Sequence, residues 1–317
     1  MLAFVANPDR YGRFGHQSFS MLTAWALAVL LKERFIPLPY LYFAYHFNKF
    51  VDFSRSRYAT LKIESNVQFF HLPGSQVQDV AGNNRLDLST TSGLLHMIDQ
   101  ISQCQQNTRA ETMVAFLPFD QDIGKLSRLI EREKDDLRRI FHLNGLFYQD
   151  QYNTNMLKIA IHIRRGDVTR QRHPDWYVPI SVYSTIISIL KSNYQDCQIT
   201  IVSDGPPWSL DVLDLLKKFK NIQLRGPDSS EIYNGKILIS SDIMDFACMA
   251  SNDIVIGSKS TYSWLASRVG NCKFIPIVSE GQYMPHHLRH EGIIGFNHMT
   301  DEVTSFSIGP LDYLPQK

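Results

Sequence analysis

The sequence predicts an α/β protein built from two lobes of mainly parallel sheet with a cleft between them. Three observations lead to this prediction. Short apolar runs with strand composition alternate with helical patterns through most of the chain. The length of 317 residues is about twice that of a common domain. A polar segment without periodicity, residues 149–155, divides the chain near its middle.

The first lobe is predicted to comprise residues 1–150. Its strands are expected at residues 2–6, 41–45, 67–71 and 112–117. Its helices are expected at 16–32 and 123–142. The first helix contains the apolar run 21–31, which is shorter than the roughly 20 residues that span a membrane, and we expect it to be buried. In the second helix, the charged run 131–136 is predicted to face solvent.

The second lobe, residues 151–317, shows a regular succession of strands and helices. Its strands are expected at residues 158–163, 198–202, 222–224, 254–256 and 273–277. The helices between them are expected at 182–191, 210–219, 242–250 and 261–268. This pattern is typical of a doubly wound sheet, whose ligands bind beyond the carboxyl ends of the strands. Functional residues are therefore expected just after the strands.

The composition excludes several classes of function. With 44% hydrophobic and 20% charged residues, the chain has the make-up of a globular protein and not of a polytopic membrane protein. The formal net charge of +1 gives no global basic field that would hold nucleic acid or an anionic membrane. Recognition of an anion must therefore come from a local cluster. The four cysteines show no metal-type spacing and are expected to be reduced.

The most informative segment is the end of the strand predicted at 158–163. Its apolar run stops abruptly at His-Ile-Arg-Arg-Gly-Asp, residues 162–167. Arg164 and Arg165 cannot both be core residues, and the planar fork of a guanidinium matches phosphate oxygens bidentately. A diphosphate is the natural counterpart, with Asp167 orienting an arginine or the loop. The alternative is an Arg–Asp pair that only caps the strand.

A turn that contains two glycines follows the first strand. Gly12 and Gly15 are three residues apart, which is not the dinucleotide-binding fingerprint and disfavours a nicotinamide enzyme. The glycines fit a close approach of the backbone to a ligand, with His16 and Gln17 offering polar contacts. The alternative is a tight turn from strand to helix.

Two further strand ends carry polar residues. Asp204 follows the strand at 198–202 and offers an acceptor for ribose or base N–H and O–H groups, although a Ser-Asp-Gly-Pro turn explains it as well. Ser260 and Thr261 lie at a helix start, where hydroxyl and backbone N–H groups present donors to an anion. Ordinary N-capping is the alternative there.

A histidine cluster near the C-terminus is the only hint of a metal. His286, His287 and His290 lack an accompanying carboxylate at ligand spacing, which favours a solvated loop. No metal site is predicted.

These segments, in this order, resemble the α1,2-fucosyltransferase family and its relatives, the α1,6- and protein O-fucosyltransferases. Residues 162–167 resemble the His-x-Arg-Arg-Gly-Asp signature of that superfamily. Residues 12–17 resemble the Gly-Arg-Leu-Gly-Asn-Gln stretch of the α1,2 branch, with His16 in place of asparagine. Residues 202–204 match a Ser/Thr-Asp-Asp motif in which Gly205 replaces the second aspartate. Residues 245–264 resemble the third motif.

The resemblance implies a GT-B fold with two Rossmann-like lobes and an inverting transfer from GDP-fucose to a glycan acceptor. It implies no metal and no cofactor. Arg164, Arg165 and Asp167 are the catalytic candidates it gives. The donor-side candidates it gives would contact the phosphates, the guanosine or the donor pocket. They are His162, Arg164, Arg165, Asp204, Asp245, Ser260 and Thr261. The acceptor-side candidates are Asp9, Gly12, Gly15, His16 and Gln17.

The chemistry of such a transfer fits clustered arginines. Loss of a diphosphate develops negative charge on the leaving oxygens, and arginines aimed at them stabilise the transition state in place of a metal. Asp9 and His16 are candidates for a general base on the acceptor side. Asp167 is a candidate only if no arginine holds it.

Two rival functions stay open at this point. The same arginines would serve a transferase that uses another nucleotide sugar, and a catalytically silent GDP- or carbohydrate-binding protein would keep the same pocket. The short apolar start of the chain predicts a cytoplasmic protein without a transmembrane segment. A soluble catalytic domain of a membrane-anchored Golgi enzyme is the alternative. The resemblance implies α1,2-type transfer to a glycan hydroxyl, while the residues themselves identify neither the acceptor, the linkage nor the oligomeric state.

Overall fold

A computed structural model describes residues 1–6, 14–61, 66–71, 91–107, 111–116, 127–142, 156–194, 196–204, 210–225, 232–233, 236–237, 241–258, 260–281 and 292–309. The chain divides into two compact units, Met1–Leu143 with Pro285–His287, and Asn144–Met284 with Leu288–Lys317. The segment at 149–155, where the sequence predicts the linker, lies outside the described residues. The boundary between residues 150 and 151 therefore stays a prediction.

The first unit contains a parallel four-stranded sheet in the order β2-β1-β4-β3. Its described strands are β1 (Leu2–Val5), β2 (Arg34–Ile36), β3 (Val67–His71) and β4 (Thr112–Phe116). Its described α-helices are α1 (Phe14–Leu31), α2 (Thr91–Asn107), α3 (Ser127–Arg132) and α4 (Lys134–Ile140). Helix α1 is apolar on all sides and is buried over most of its length, as the sequence predicts.

The prediction of a strand at residues 41–45 is wrong. Residues Tyr42–Lys49 form a 3₁₀ helix, in which Ala44 and Phe47 are both buried. Their spacing of three residues matches the 3₁₀ period, so one face turns inward. Asn48 closes the preceding loop, because its side chain bonds the backbone N–H and C=O of Tyr40 at 2.7 and 3.0 Å. The aromatic composition of residues 41–45 favours a strand, but so short a segment does not reveal whether its period is that of a strand or of a 3₁₀ helix.

The helix predicted at 123–142 consists, in its described part, of α3 and α4 with a break at Glu133. The predicted solvated run at 131–136 also needs correction, since Asp136 is only 1% exposed. The Asp136 carboxylate accepts hydrogen bonds from Trp25 Nε1 at 2.9 Å and Ser56 Oγ at 2.5 Å, and pairs with Arg139. These bonds tie α4 to α1 and to the segment after the second 3₁₀ helix, Phe53–Arg55.

The second unit contains a seven-stranded sheet in the order β13-β12-β11-β10-β5-β6-β7. Its strands are β5 (Leu157–Ile163), β6 (Cys197–Ser203), β7 (Ile222–Arg225), β10 (Ile254–Gly257), β11 (Lys273–Ser279), β12 (Ile293–Phe296) and β13 (Val303–Ser307). The short strands β8 (Ile232–Tyr233) and β9 (Lys236–Ile237) pair with each other. Its described helices are α5 (Ile180–Asn193), α6 (Leu210–Lys218), α7 (Ser241–Ala250) and α8 (Thr261–Gly270).

Within the seven-stranded sheet, every described pairing is parallel except β12 with β13. In chain order, the six parallel strands follow the doubly wound arrangement 3-2-1-4-5-6, read from β7 to β12. The order reverses between β5 and β10, where His162 lies opposite Gly257. Ligands of such sheets bind at this switch point. The predicted α/β class with mainly parallel sheets is confirmed.

The central strands β5, β10 and β11 are rich in Ile and Val and are buried along nearly their whole length, as expected for parallel strands covered on both faces. All seven residues of β5 are buried except Lys158, which is half-buried. The strand carries charge only near its start, at Lys158, and none over the fully buried stretch from Ile159 to Ile163. The next charged residues lie directly after it.

Replacing Asp136 by Ala should lower the free energy of unfolding by about 3 kcal/mol, because Trp25 Nε1 and Ser56 Oγ would lose a buried acceptor. Asp135→Ala is the matched control, since the Asp135 side chain is 86% exposed on the same helix. Urea unfolding followed by tryptophan fluorescence measures both. Equal stability of the two variants would contradict the structural role of Asp136.

Candidate functional site

The polar residues of the second unit converge at the carboxyl edge of its sheet. Arg164 follows β5, Asp204 follows β6, Arg225 ends β7 and Ser258 follows β10. Because these strands are parallel, their carboxyl ends lie side by side. Residues far apart in sequence thus form one group at the switch point.

Asp167 and Trp176 hold the Arg164 guanidinium in place, but some of its N–H donors have no acceptor among the described residues. Its Nε and Nη2 atoms donate to Asp167 Oδ1 and Oδ2 at 2.9 and 2.7 Å, and its Cζ lies 5.2 Å from the ring centroid of Trp176. The side chain is 19% exposed. A guanidinium has five N–H donors, and Asp167 takes two of them. For the other three, the described residues supply no acceptor, so one edge of the fork is available to an anion.

Asp167 is an orienting residue in this geometry. Both of its carboxylate oxygens accept from Arg164. The sequence allowed Asp167 as a general base only on the condition that no arginine held its carboxylate. The pairing removes Asp167 from that role.

Arg165 differs from its neighbour. Its Nε donates to Asp211 Oδ2 at 2.9 Å, its Nη2 to the Val178 carbonyl at 2.9 Å and its Nη1 to the Arg164 carbonyl at 3.2 Å. The side chain is 8% exposed. The guanidinium therefore binds the protein's own groups, in contrast to the predicted contact with a diphosphate. Asp211, in the first turn of α6, is a partner that sequence reasoning missed.

Asp204 anchors the backbone of the arginine segment. Its Oδ1 accepts from the N–H groups of Arg165 and Gly166 at 2.6 and 2.9 Å. A Cβ added at Gly166 would lie 2.7 Å from the Asp204 carbonyl oxygen, so only glycine fits at that position without a shift. This position differs from the predicted contact with guanosine, because the carboxylate turns toward the preceding strand end.

His162 is a neutral buried side chain beside the arginines. It is 3% exposed, and its Nδ1 has no hydrogen-bond partner among the described residues. Burial lowers the pKa of His162 to about 4, with the Arg164 charge acting in the same direction and Asp204 and Asp167 opposing it. Its ring centroid lies 5.7 Å from that of Tyr262. The imidazole can therefore exchange a hydrogen bond with a ligand without adding charge.

Asp245 lies in α7 and faces the end of β7. Its Oδ1 is 3.8 Å from Arg225 Nε, which is an ion pair but too long for a hydrogen bond, and its side chain is 7% exposed. Burial raises the pKa of Asp245 to about 7, Arg225 lowers it, and Asp242 and Asp204 raise it further. Sequence reasoning missed Arg225, although its place at a strand end on the same edge was a usable signal.

The start of α8 adds hydroxyl groups. Ser258 is 2% exposed, and its Oγ finds no hydrogen-bond partner in the described part of the chain. Ser260 is 3% exposed at the N-cap position and makes no capping bond through its side chain, while Thr261 is half-buried. The Tyr262 hydroxyl donates to the Asp242 carbonyl and joins α8 to α7. These hydroxyls lie next to the N-terminus of α8, which favours an anion.

The predicted acceptor-side residues belong to the first unit. Asp9 and Gly12 lie outside the described residues, as does the side chain of His16. Gly15 and Gln17 lie within α1 and not in a turn, because the helix begins at Phe14. Gln17 is 0% exposed and bonds the Leu41 carbonyl and N–H at 2.9 and 2.8 Å, which is a structural contact. The acceptor-side assignment stays a prediction.

Neither a metal-ligand cluster nor a membrane-spanning helix is found among the described residues. In the described ranges, no three His, Cys, Asp or Glu side chains group as metal ligands would. His286, His287 and His290 lie outside those ranges, and metal independence stays a prediction. No described helix combines the length and hydropathy of a membrane-spanning segment. The four cysteines, all within the described residues, form no disulfide.

No protein-family model matches the sequence, and no curated protein matches it. Solved structures do resemble the chain. POFUT1 in complex with GDP is 12% identical over 87% of this chain and 97% of its own, with a TM-score of 0.47. POFUT1 in complex with GDP-fucose is 12% identical over 86% of this chain and 96% of its own, with a TM-score of 0.46. A mutant of Arabidopsis thaliana FUT1 in complex with GDP is 12% identical over 86% of this chain and 69% of its own, with a TM-score of 0.42.

At these identities and TM-scores the similarities add no argument about function. The site is interpreted from its own chemistry. It offers a guanidinium edge for phosphoryl oxygens, two buried polar atoms for hydrogen bonds and a carboxyl group for N–H donors. Arg164 and Ser258 follow the neighbouring strands β5 and β10, His162 lies near the end of β5, and Asp245 lies in α7 beside the end of β7, so one elongated ligand with an anionic part fits them.

Replacing Asp245 by Asn should change the pH dependence of stability. The folded pKa of about 7 exceeds the ordinary 3.8, so the stabilisation from the bound proton is complete below 3.8 and is lost as pH rises through 7. Asn keeps the shape but cannot lose a proton. The thermal midpoint of Asp245→Asn relative to wild type should therefore rise between about pH 4 and pH 8.

His162 gives the opposite slope in both proteins, because its lowered pKa adds stability above 6.5 that is lost as pH falls toward 4. It cancels in the difference between the two midpoints. A difference that stays flat across this range would show that Asp245 does not titrate as described.

Proposed function

We propose that this chain is an inverting, metal-independent glycosyltransferase that transfers fucose from GDP-fucose to a glycan hydroxyl, with α1,2-type linkage. The observation that supports this proposal most strongly is Arg164. Its guanidinium lies at the switch point of a doubly wound sheet, is held by Asp167 and keeps three N–H donors available.

The available edge of Arg164 matches the leaving group of a sugar transfer. When the bond from the anomeric carbon to the diphosphate breaks, negative charge develops on the phosphoryl oxygens. A fixed guanidinium stabilises that charge more in the transition state than in the ground state, which raises kcat. Asp167 and Trp176 keep the guanidinium oriented, so little reorganisation is needed during the reaction.

The start of α8 is proposed to bind the same diphosphate. Ser260 and Thr261 bring hydroxyl groups to the positive end of the helix dipole. The unpartnered Ser258 Oγ lies immediately after the strand that pairs with β5. This arrangement supplies neutral donors beside one cation, which suits an anion of two phosphates.

The nucleoside end is proposed to lie near Asp245. An ionised carboxylate accepts hydrogen bonds through two oxygens, and guanine presents two adjacent donors, N1–H and the N2 amino group. Arg225 nearby favours the ionised form. The unpartnered Nδ1 of His162, beside Arg164, is proposed as a further contact for the same ligand. These groups support guanine over uracil, which offers a single ring N–H on that edge.

Direct displacement by the acceptor hydroxyl inverts the anomeric centre. The reaction needs a base on the acceptor side, and the pairing of Asp167 with Arg164 leaves Asp9 and His16 as the candidates. Transfer from another nucleotide sugar would use the same Arg164 contact. A silent binding protein would keep the pocket and lack acceptor-dependent release of GDP.

Replacing Arg164 by Lys should lower kcat on the order of a hundredfold, because an ammonium cannot bond Asp167 bidentately and also reach a phosphoryl oxygen. Initial rates of GDP release with a glycan acceptor measure this loss. Arg172→Lys is the matched control, since Arg172 is exposed in the same segment. A kcat within a few-fold of wild type would exclude Arg164 from the proposed role.

Removal of divalent ions should leave the rate unchanged, because Arg164 and the helix start provide the stabilisation that a metal would give. Rates before and after EDTA treatment test this expectation. Loss of activity that Mn²⁺ restores would contradict the arginine mechanism.

A further inference from the structure

Arg165 and Arg164 are adjacent in sequence but face different surroundings. Of its five N–H donors, Arg164 donates two to Asp167 and keeps three, whereas Arg165 donates three to protein groups, one from each nitrogen atom, and keeps two. Its side chain is less than half as exposed, 8% against 19%. The two arginines therefore cannot have the same role.

The partners of Arg165 come from two elements. Asp211 belongs to the first turn of α6, and the Val178 carbonyl belongs to the segment between β5 and α5. The Arg165 Cζ also lies 4.5 Å from the ring centroid of Tyr177 and 5.8 Å from that of Tyr183 in α5. Arg165 thus joins the end of β5, the following segment, α5 and α6.

The segment that Arg165 holds also carries the groups that orient Arg164. Asp167 bonds Arg164 bidentately, and the ring of Trp176 lies against its guanidinium. Trp176 directly precedes Tyr177 and Val178, the two residues that Arg165 contacts. A change in the Arg165 contacts would therefore move Trp176 and alter the direction of the available edge of Arg164.

We infer that Arg165 is a positioning residue that touches no ligand and acts through Arg164, with Asp211 as its partner. This inference rests on the proposed function, in which Arg164 binds the leaving diphosphate. Asp204 fixes the backbone N–H groups of Arg165 and Gly166 independently. Substitution of the Arg165 side chain therefore leaves the main chain of the segment anchored.

A double-mutant cycle between Arg165→Lys and Arg164→Lys tests the inference. Arg165→Lys alone should lower kcat about tenfold, because an ammonium cannot bond Asp211 and Val178 through a fork. In the Arg164→Lys background, the same change should cost less than about twofold, because the group through which it acts has been altered. Asp211→Asn should show the same dependence on background.

Asp214→Asn is the matched control, since Asp214 lies in the same helix, is 69% exposed and pairs only with Lys217 among the described residues. Thermal midpoints and circular dichroism of every variant separate positioning from loss of fold, because a purely structural defect would lower kcat by the same factor in both backgrounds.

GDP binding by calorimetry separates the two possible failures. If wild type binds no GDP, the proposed function and this inference both fail. If wild type binds GDP and turns over, but the kcat losses of Arg164→Lys and Arg165→Lys multiply, Arg165 does not act through Arg164. That outcome would overturn this inference alone.

Discussion

The parallel pairing of β5 with β6 on one side and β10 on the other determines the candidate site. Through it, His162 lies opposite Val202 and Gly257, and the residues that follow each strand meet at one edge. An antiparallel neighbour would have placed its polar end at the opposite edge. Because β5 is fully buried from Ile159 to Ile163, its charged residues lie only near its start, at the half-buried Lys158, and beyond Ile163. The arginines therefore begin where the strand order reverses.

Each arginine at this edge pairs with a carboxylate, and the pairs differ in how exposed the arginine is. Arg164 pairs with Asp167, Arg165 with Asp211 and Arg225 with Asp245. Such pairing is expected for guanidinium and carboxylate groups removed from water. Arg165 is enclosed, whereas Arg164 keeps an edge for an anion. The proposal that Arg164 binds the anion and that Arg165 positions Arg164 rests on that inequality.

The shifted pKa values of His162 and Asp245 also affect the charge of the site. Burial keeps His162 uncharged at neutral pH, so it does not add a second positive charge next to Arg164. Asp245 has the opposite shift, and its pKa of about 7 places its ionisation near neutrality. A chain with a formal net charge of +1 can thus bind an anion through one oriented guanidinium and local dipoles.

The sequence predicted the second unit well because buried parallel strands leave a strong local signal. The predicted strand at 158–163 and the observed Leu157–Ile163 differ by one residue. Strands β12 and β13 were missed because each is short and contains glycine or serine among its apolar residues. In the first unit, the strand prediction at 41–45 is wrong because aromatic composition over five residues does not distinguish a strand from a 3₁₀ helix.

At the site, Arg164 and His162 could be found because an apolar strand ends abruptly in charge. The contacts of Arg165 and Asp204 could not be predicted, because their partners lie in other elements of the fold. Asp211 is 46 positions from Arg165, and the bonds of Asp204 to the backbone of Arg165 and Gly166 leave no sequence pattern. Two identical adjacent side chains give no local indication of which one is enclosed by protein groups and which one keeps more free N–H donors.

The most direct test of the account is acceptor-dependent release of nucleoside diphosphate from a panel of nucleotide sugars, with the linkage and anomeric configuration of the product determined by NMR. The account predicts that GDP-fucose is consumed only when a glycan acceptor is present, with inversion at the anomeric carbon and attachment at a 2-hydroxyl. Consumption of a different donor, or retention of configuration, would contradict it.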